Sequence, residues 1–330
     1  MRTLVTGGAG FIGSHLVDRL LARGDEVVVI DDLSTGSKEN LASHEGNPRL
    51  TFVHDSILNG PVMEGLVRRS DLVLHLAAAV GVKYVIERPL HSLDVNVRGS
   101  ETLLELVAAH RIKTVIFSTS EIYGKSAKIP FREDDDRVLG PVTCQRWNYS
   151  IAKALDEILA LAYYRERGLP AIIVRCFNTC GPRQTGQYGM VVPRFVDQAL
   201  SGAPLTVYGD GSQSRCFGSV FDVVDGVIAL LDEPRAVGEI FNLGSDEEVT
   251  ILSLAYRVKE LTRSRSEIRL VPYDEAYEVG FEDMQRRVPD LAKLSALVGY
   301  RPKRKLDEIL QSVIDEARGR AKRVALTGNA

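Results

Sequence analysis

Thr3-Leu4-Val5-Thr6-Gly7-Gly8-Ala9-Gly10-Phe11-Ile12-Gly13-Ser14-His15-Leu16 opens on a short β-branched run, turns through a cluster of glycines and continues as an amphipathic stretch to Arg23. Gly7, Gly10 and Gly13 keep the spacing GxxGxxG. A strand that feeds a helix through such a turn needs positive φ, a backbone that a phosphate can approach closely, and a helix packed tightly on the strand. The helix N-terminus then presents free N–H groups and a partial positive charge to the phosphates of a dinucleotide. Glycine spacing alone is weak evidence, but this turn lies between strand and helix and has an acidic residue at the right distance. Asp31 stands eighteen positions beyond Gly13, at the end of the next β-branched run. A carboxylate there accepts hydrogen bonds from ribose hydroxyls and repels a 2′-phosphate. Asp32 reinforces it and no arginine stands beside it, so the pattern predicts NAD rather than NADP. The expected grip is Gly7, Gly10, Phe11, Ile12, Gly13, Asp31 and Asp32.

Outward from this turn, β-branched runs alternate with amphipathic ones. Strands are expected at Thr3-Leu4-Val5, Glu26–Ile30, Leu50–Val53, Leu72–Leu76, Thr114–Ser118 and Ala171–Arg175, and helices at Gly13–Arg23, Pro61–Arg69, Leu90–His110 and Tyr149–Arg167. That alternation predicts an α/β protein with a Rossmann, doubly wound parallel sheet. Residues 1–176 would form the dinucleotide-binding domain. A strand at Glu239–Leu243 would bring 217–244 back to the sheet, leaving 177–216 and 245–315 as a smaller C-terminal substrate-binding lobe. The tail, 316–330, is basic and then small and polar, and is expected to fray.

Bulk properties narrow the partners. The 330 residues carry a net charge of -3, with 45% apolar and 26% charged side chains, as in an ordinary globular enzyme. Nucleic acid and anionic membrane are not expected partners. No apolar run approaches the roughly 18 residues that span a bilayer. Met1-Arg2-Thr3 runs straight into the first strand, so no signal peptide is expected and the chain reads as cytoplasmic. Cys144, Cys176, Cys180 and Cys216 lack CxxC spacing, and no metal is expected.

Tyr149 and Lys153 form YxxxK on a predicted helix, where positions four apart share a face. A phenol is a poor base near neutrality, but an adjacent ammonium and a cationic nicotinamide favour its phenolate. Tyr149 can then take the proton of a sugar hydroxyl as hydride leaves. Chance supplies about 0.4 such pairs in a chain of this composition, so the weight lies in position. The pair follows Ser118-Thr119-Ser120 by one loop, and Thr119, at the end of a strand, can donate to the same oxygen.

These residues carry a resemblance. The run Gly7–Leu16, His75-Leu76-Ala77-Ala78, the YxxxK pair and Asn178 resemble the extended short-chain dehydrogenase/reductases, the family of nucleotide-sugar epimerases, dehydratases and decarboxylases, over nearly the whole chain. The resemblance implies an NAD-dependent enzyme acting on a nucleotide-linked sugar, with UDP favoured. It implies further cofactor contacts at Asp55, Ser56, Leu76, Ala77, Ala78, Tyr149 and Lys153. Arg183, Tyr208 and Arg215 stand where such enzymes bind the nucleotide diphosphate and base, and Asn178, Arg194, Asp283 and Arg287 complete the implied substrate set. A homodimer is implied too, through a four-helix bundle made by Leu90–His110 and Tyr149–Arg167.

Three stretches bear on which sugar chemistry is done. Thr119-Ser120-Glu121 looks like UDP-glucuronate decarboxylases and also like GDP-mannose dehydratases, whereas simple 4-epimerases usually have a small residue at 121. Gly140-Pro141-Val142 with Gln145-Arg146-Trp147-Asn148-Tyr149, and Gly280-Phe281-Glu282-Asp283 leading to Arg286-Arg287-Val288-Pro289-Asp290, resemble the decarboxylases and the related apiose-forming enzymes. The latter carry cysteine where this chain has Val80 and Ser120, which disfavours ring contraction. The catalytic set implied is Thr119, Ser120, Glu121, Tyr149, Lys153 and Arg287. A ketone formed at C4 lies β to the C6 carboxylate, so carbon dioxide leaves readily into an enolate that Tyr149 and Thr119 stabilise. Arg287 can hold the carboxylate in bidentate fashion before it leaves. A 4-epimerase, a 4,6-dehydratase and, from another class, a non-catalytic NAD-sensing protein of this fold remain alternative readings.

Overall fold

The computed structural model of the chain describes residues 1–186, 189–276 and 284–327. At its centre lie Arg2–Thr6 (β1), Glu26–Asp31 (β2), Leu50–His54 (β3), Leu72–His75 (β4), Lys113–Thr119 (β5) and Ala171–Cys176 (β6). With Ile240–Leu243 they form one seven-stranded sheet, ordered Ile240–Leu243, β6, β5, β4, β1, β2, β3 and parallel throughout. Both faces of the sheet are covered, which is why its inner strands read as near-continuous β-branched runs rather than alternating ones. Successive residues supply opposite faces. Val5, Val27, Val29 and Leu74 pack with Leu16 and Leu20 of the helix Phe11–Arg23 (α1) and with Val223 and Val227 of Val220–Leu231. Leu4, Val28, Ile30 and Val73 pack on the other side with Leu103, Leu104 and Val107.

The strand order reverses between β1 and β4, and a crevice opens there at the carboxyl ends of the strands, where ligands of open α/β sheets bind. The smaller lobe rests on the helices Val191–Ser201, Ile251–Thr262 and Leu306–Thr327 and on the parallel pair Leu205–Tyr208 and Ile268–Val271. Phe195, Val196, Leu254, Val258, Leu310 and Ile314 form its core.

Two expectations are corrected. The stretch expected as one helix over Leu90–His110 is Pro89–Leu93, a π turn over Asp94–Gly99, and Ser100–His110. Asn96, within the π turn, accepts from the Ala79 N–H at 2.7 Å and donates to the Ala79 carbonyl at 3.0 Å, which fixes the loop after β4. The helix Leu306–Thr327 runs through the stretch expected to fray beyond Glu316. Its apolar stripe of Ile309, Leu310, Val313 and Ile314 continues into buried Ala317, which anchors the start of that stretch. Among the described residues no helix is long and apolar enough to cross a membrane.

Candidate active site

A cavity of about 500 Å³ opens above β1, β4 and β5. Gly10, Phe11 and Ile12 line one side of its dinucleotide end, and Leu76, Ala77 and Ala78 the other. The glycine spacing is explained by distance. Gly7 has φ +71°, and a Cβ there would lie 2.7 Å from the Ala77 nitrogen; a Cβ on Gly13 would lie 2.3 Å from the Gly7 carbonyl oxygen. A side chain at either position would push apart backbone segments that the turn holds in contact, the loop after β4 at Gly7 and the turn itself at Gly13. The Gly10 N–H donates to the Gly7 carbonyl at 3.1 Å and closes the turn.

Asp31 is buried at the end of β2 and lines the cavity. Its two carboxylate oxygens accept from the Ala9 and Leu33 N–H groups, each at 2.9 Å, and each keeps capacity for a ribose hydroxyl. Burial raises its pKa, and those two hydrogen bonds act against the rise. Asp32 accepts from the Ser34 N–H at 2.9 Å, and Asp55 from the Ser56 N–H at 2.7 Å and the Asn59 amide at 2.8 Å. Both aspartates line the cavity. Ser56, expected as a contact, does not; its hydroxyl turns back to accept from the Leu58 N–H at 3.2 Å, and Ile57 takes its place in the wall. A glycine cradle that a Cβ would fill, facing a fixed carboxylate, fits an NAD-type dinucleotide.

At the sugar end, Thr119 finishes β5, and its hydroxyl accepts from the Glu121 N–H at 3.2 Å, starting the single turn Ser120–Tyr123. The Ser150 hydroxyl donates to the Glu121 carbonyl at 2.9 Å and ties that turn to the helix Trp147–Arg167. The same helix is anchored beneath by Glu157, which receives two hydrogen bonds from Arg175, at 2.9 and 2.7 Å. Tyr149 thereby faces the cavity beside Thr119 and Ser120. Lys153 stands one turn behind the cavity wall, and its ammonium donates to Asp156 at 2.7 Å. The phenol's surroundings push opposite to the expected direction. Burial raises the Tyr149 pKa, with Glu121, Asp156 and Cys176 adding to the rise. His75, beneath the site, lies 2.8 Å from the Thr6 hydroxyl and 3.0 Å from that of Ser100. Burial pushes its pKa down to about 3, with Lys153 contributing, so it is a neutral bridge rather than an acid.

Glu121 is clamped. Arg287 approaches one carboxylate oxygen at 2.8 Å and Arg146 the other at 3.3 Å. Burial would raise its pKa, but the guanidiniums of Arg287, Arg146 and Arg215 outweigh burial and hold it below the usual carboxylate range. All three arginines are buried and line the cavity. Arg287 also points at the Ser120 hydroxyl, at 3.5 Å. Arg146 was quoted in the sequence only as part of a stretch. Its place three residues before Tyr149, about one helical turn away, is the signal that could have found it.

Asn178, Arg194, Tyr208 and Arg215 also line the cavity, and the Arg194 guanidinium stacks 4.1 Å above the Tyr208 ring. Arg183, expected there, does not line the cavity. It pairs with Asp18 of α1 at 2.9 Å, and Gln184 and Thr185 form the wall instead. Asp283 and the stretch Gly280-Phe281-Glu282 lie outside the described residues. Among the described residues no group of three or more His, Cys, Asp or Glu could hold a metal ion.

The profile of the NAD dependent epimerase/dehydratase family matches residues 3–244. The chain is 42% identical to a UDP-N-acetyl-alpha-D-glucosaminuronate decarboxylase of Bacillus cytotoxicus, over 95% of this chain and 96% of that protein. It is 38% identical to UDP-glucuronic acid decarboxylase 1 of Arabidopsis thaliana, over 97% of this chain and 70% of the relative. Among solved structures, the UDP-glucuronic acid 4-epimerase of Bacillus cereus, in complex with UDP-glucuronic acid and NAD, superposes with a TM-score of 0.87 at 29% identity, covering 97% of this chain and 99% of the epimerase.

Proposed function

The chain belongs to the NAD dependent epimerase/dehydratase family, and we propose on that premise that it decarboxylates a UDP-linked uronic acid, UDP-glucuronate. The observation that carries this reading is the charge at the sugar end. Three buried guanidiniums, of Arg146, Arg215 and Arg287, converge on Glu121 at the wall of the cavity. Guanidiniums gathered there can offer charge-assisted, bidentate hydrogen bonds to a ligand carboxylate. A neutral hexose brings no charge to that end of the cavity. The relatives named as uronate decarboxylases support the same choice.

The Gly7–Gly13 turn and Asp31 would hold NAD, which when bound would supply the hydride acceptor for C4. Tyr149 takes the proton of the C4 hydroxyl, and Thr119 donates to the same oxygen. The resulting ketone lies β to the C6 carboxylate. When the C5–C6 bond breaks, its electrons pass through C5 to the C4 oxygen, where Tyr149 and Thr119 stabilise the enolate. Arg287 and Arg146 hold the carboxylate until it leaves. A guanidinium stays protonated above pH 12, so the proton that reaches C5 comes through water directed by Glu121.

A second substrate, UDP-N-acetylglucosaminuronate, is favoured by the relative at 42% identity. Incubation of each nucleotide with the enzyme and NAD, following carbon dioxide and absorbance at 340 nm, separates the two. Carbon dioxide from UDP-glucuronate supports the first reading and from the N-acetylated sugar alone the second. A new UDP-uronate isomer with no gas would assign the chain to the 4-epimerases instead.

The reading includes a cytoplasmic homodimer. Ile151 and Ile158, seven residues apart on the helix Trp147–Arg167, are 43% and 54% exposed, which suits a helix-packing face. Among the described residues the four cysteines form no disulfide, which suits a reducing compartment.

A further inference from the structure

Lys153 and Asp156 stand one turn apart on the helix Trp147–Arg167, and the lysine ammonium donates to the aspartate at 2.7 Å. Their side chains are 2% and 0% exposed. An ammonium so deeply buried needs a counter-charge to stay charged. The next carboxylate along, Glu157, is committed to Arg175 and to the Ser118 hydroxyl, which donates to it at 2.5 Å. The other elements packed around the pair bring few charges. His75 from β4 is neutral, Ser100 stands beside Asp156, and Cys176 at the end of β6 is a thiol whose pKa burial pushes up to about 12. Glu121 faces Tyr149 from the turn after β5.

We propose that Asp156 is a positioning residue for the Tyr149–Lys153 pair: it keeps the Lys153 ammonium seated and charged, and so sets the pH range in which the pair works. This rests on the reading of Tyr149 as the base that acts at C4. Asp156 does not line the cavity; it acts through Lys153 and, by its field, on Tyr149. Removing the Asp156 carboxylate lets the phenol ionise more easily, because a charge that opposes its ionisation is gone. The acidic limb of the pH profile, on which Tyr149 acts as base, therefore moves toward lower pH. The ammonium also loses the partner that seats it, so kcat falls.

The test is kcat and KM against pH for the NAD-loaded enzyme and its Asp156→Asn and Asp156→Glu variants, on whichever of the two UDP-uronates the wild type decarboxylates. Asp156→Asn is expected to shift the acidic limb of the bell about one unit toward lower pH. Its plateau kcat falls about tenfold, with KM within about twofold. Asp156→Glu restores the wild-type bell. Asp156→Ser removes the same charge and replaces the asparagine variant should that one not fold. An unchanged bell with only a lower melting temperature, or a shift toward higher pH, overturns the proposal. Tyr149→Phe is measured alongside. If it stays active, the reading of Tyr149 itself falls; if it is inactive while Asp156→Asn keeps the wild-type bell, only the role of Asp156 falls.

Discussion

The two ends of the cavity are built from different materials. The dinucleotide end is backbone: glycines with no room for a Cβ, N–H groups aimed at carboxylates, and an aspartate fixed by two main-chain donors. The sugar end is side chain: Glu121 after β5, Arg146 ahead of a helix, Arg215 from the smaller lobe and Arg287 from far along the chain, meeting around one carboxylate. A local turn can be written in seven consecutive residues. A charge cluster has to be assembled by the fold, so the first end suits a shared cofactor and the second suits a choice of substrate.

The comparison predicts different failures at the two ends. The largest effect is expected from Gly13→Val, whose Cβ would meet the Gly7 carbonyl at 2.3 Å. Measured by calorimetry on folded protein, NAD affinity should fall by at least about a hundredfold, because the phosphate turn must open. At the sugar end Arg287→Ala should lower kcat by about two orders of magnitude and leave NAD affinity unchanged. Arg287→Lys should recover little, since a point charge does not reproduce the planar fork. Arg146→Ala, its guanidinium 3.3 Å from Glu121, should act mainly on KM, raising it about tenfold for the uronate in steady-state assays. A carboxylate-free UDP-hexose should bind the Arg287 and Arg146 variants and the wild type alike. Arg183→Ala should change KM by no more than about twofold, since that arginine pairs with Asp18 and not with the cavity.

A pH effect sharpens the backbone side of the contrast. The folded-state pKa of His75 is pushed down to about 3, well below its ordinary value of 6.5. Between those values the unfolded chain binds the extra proton, so stability rises with pH across the window and is lost as pH falls through it. The slope is about 1.4 kcal/mol per pH unit. Chemical denaturation from pH 4 to 6 should show a steeper rise of stability with pH in the wild type than in His75→Asn, the difference approaching that slope.

The same contrast explains what was legible before the structure. Val27–Ile30 and the other inner strands are buried on both faces, so each advertises itself locally, and the glycine turn is read from its spacing, its place between strand and helix, and Asp31. Glu121 and Arg287 were reached through resemblance to other enzymes and not from local pattern. Their meeting at 2.8 Å joins residues far apart in sequence, and no periodicity reports such a pair. Arg146 was missed as a site residue for the same reason. The pairing of Arg183 with Asp18 of α1, away from the cavity wall, likewise joins distant segments and has no local signature. The π turn over Asp94–Gly99 belongs with these, since the hydrogen bonds of Asn96 to Ala79 cross from one element to another.

The central claim is that the sugar end reads a carboxylate. It is tested most directly by calorimetric binding of UDP-glucuronate and UDP-glucose to the NAD-loaded Tyr149→Phe enzyme, which lacks the base needed for turnover. The account predicts that the uronate binds at least about tenfold more tightly and that adding Arg287→Ala removes most of the difference. Equal affinities for the two nucleotides, or an advantage that survives the loss of Arg287, would contradict it.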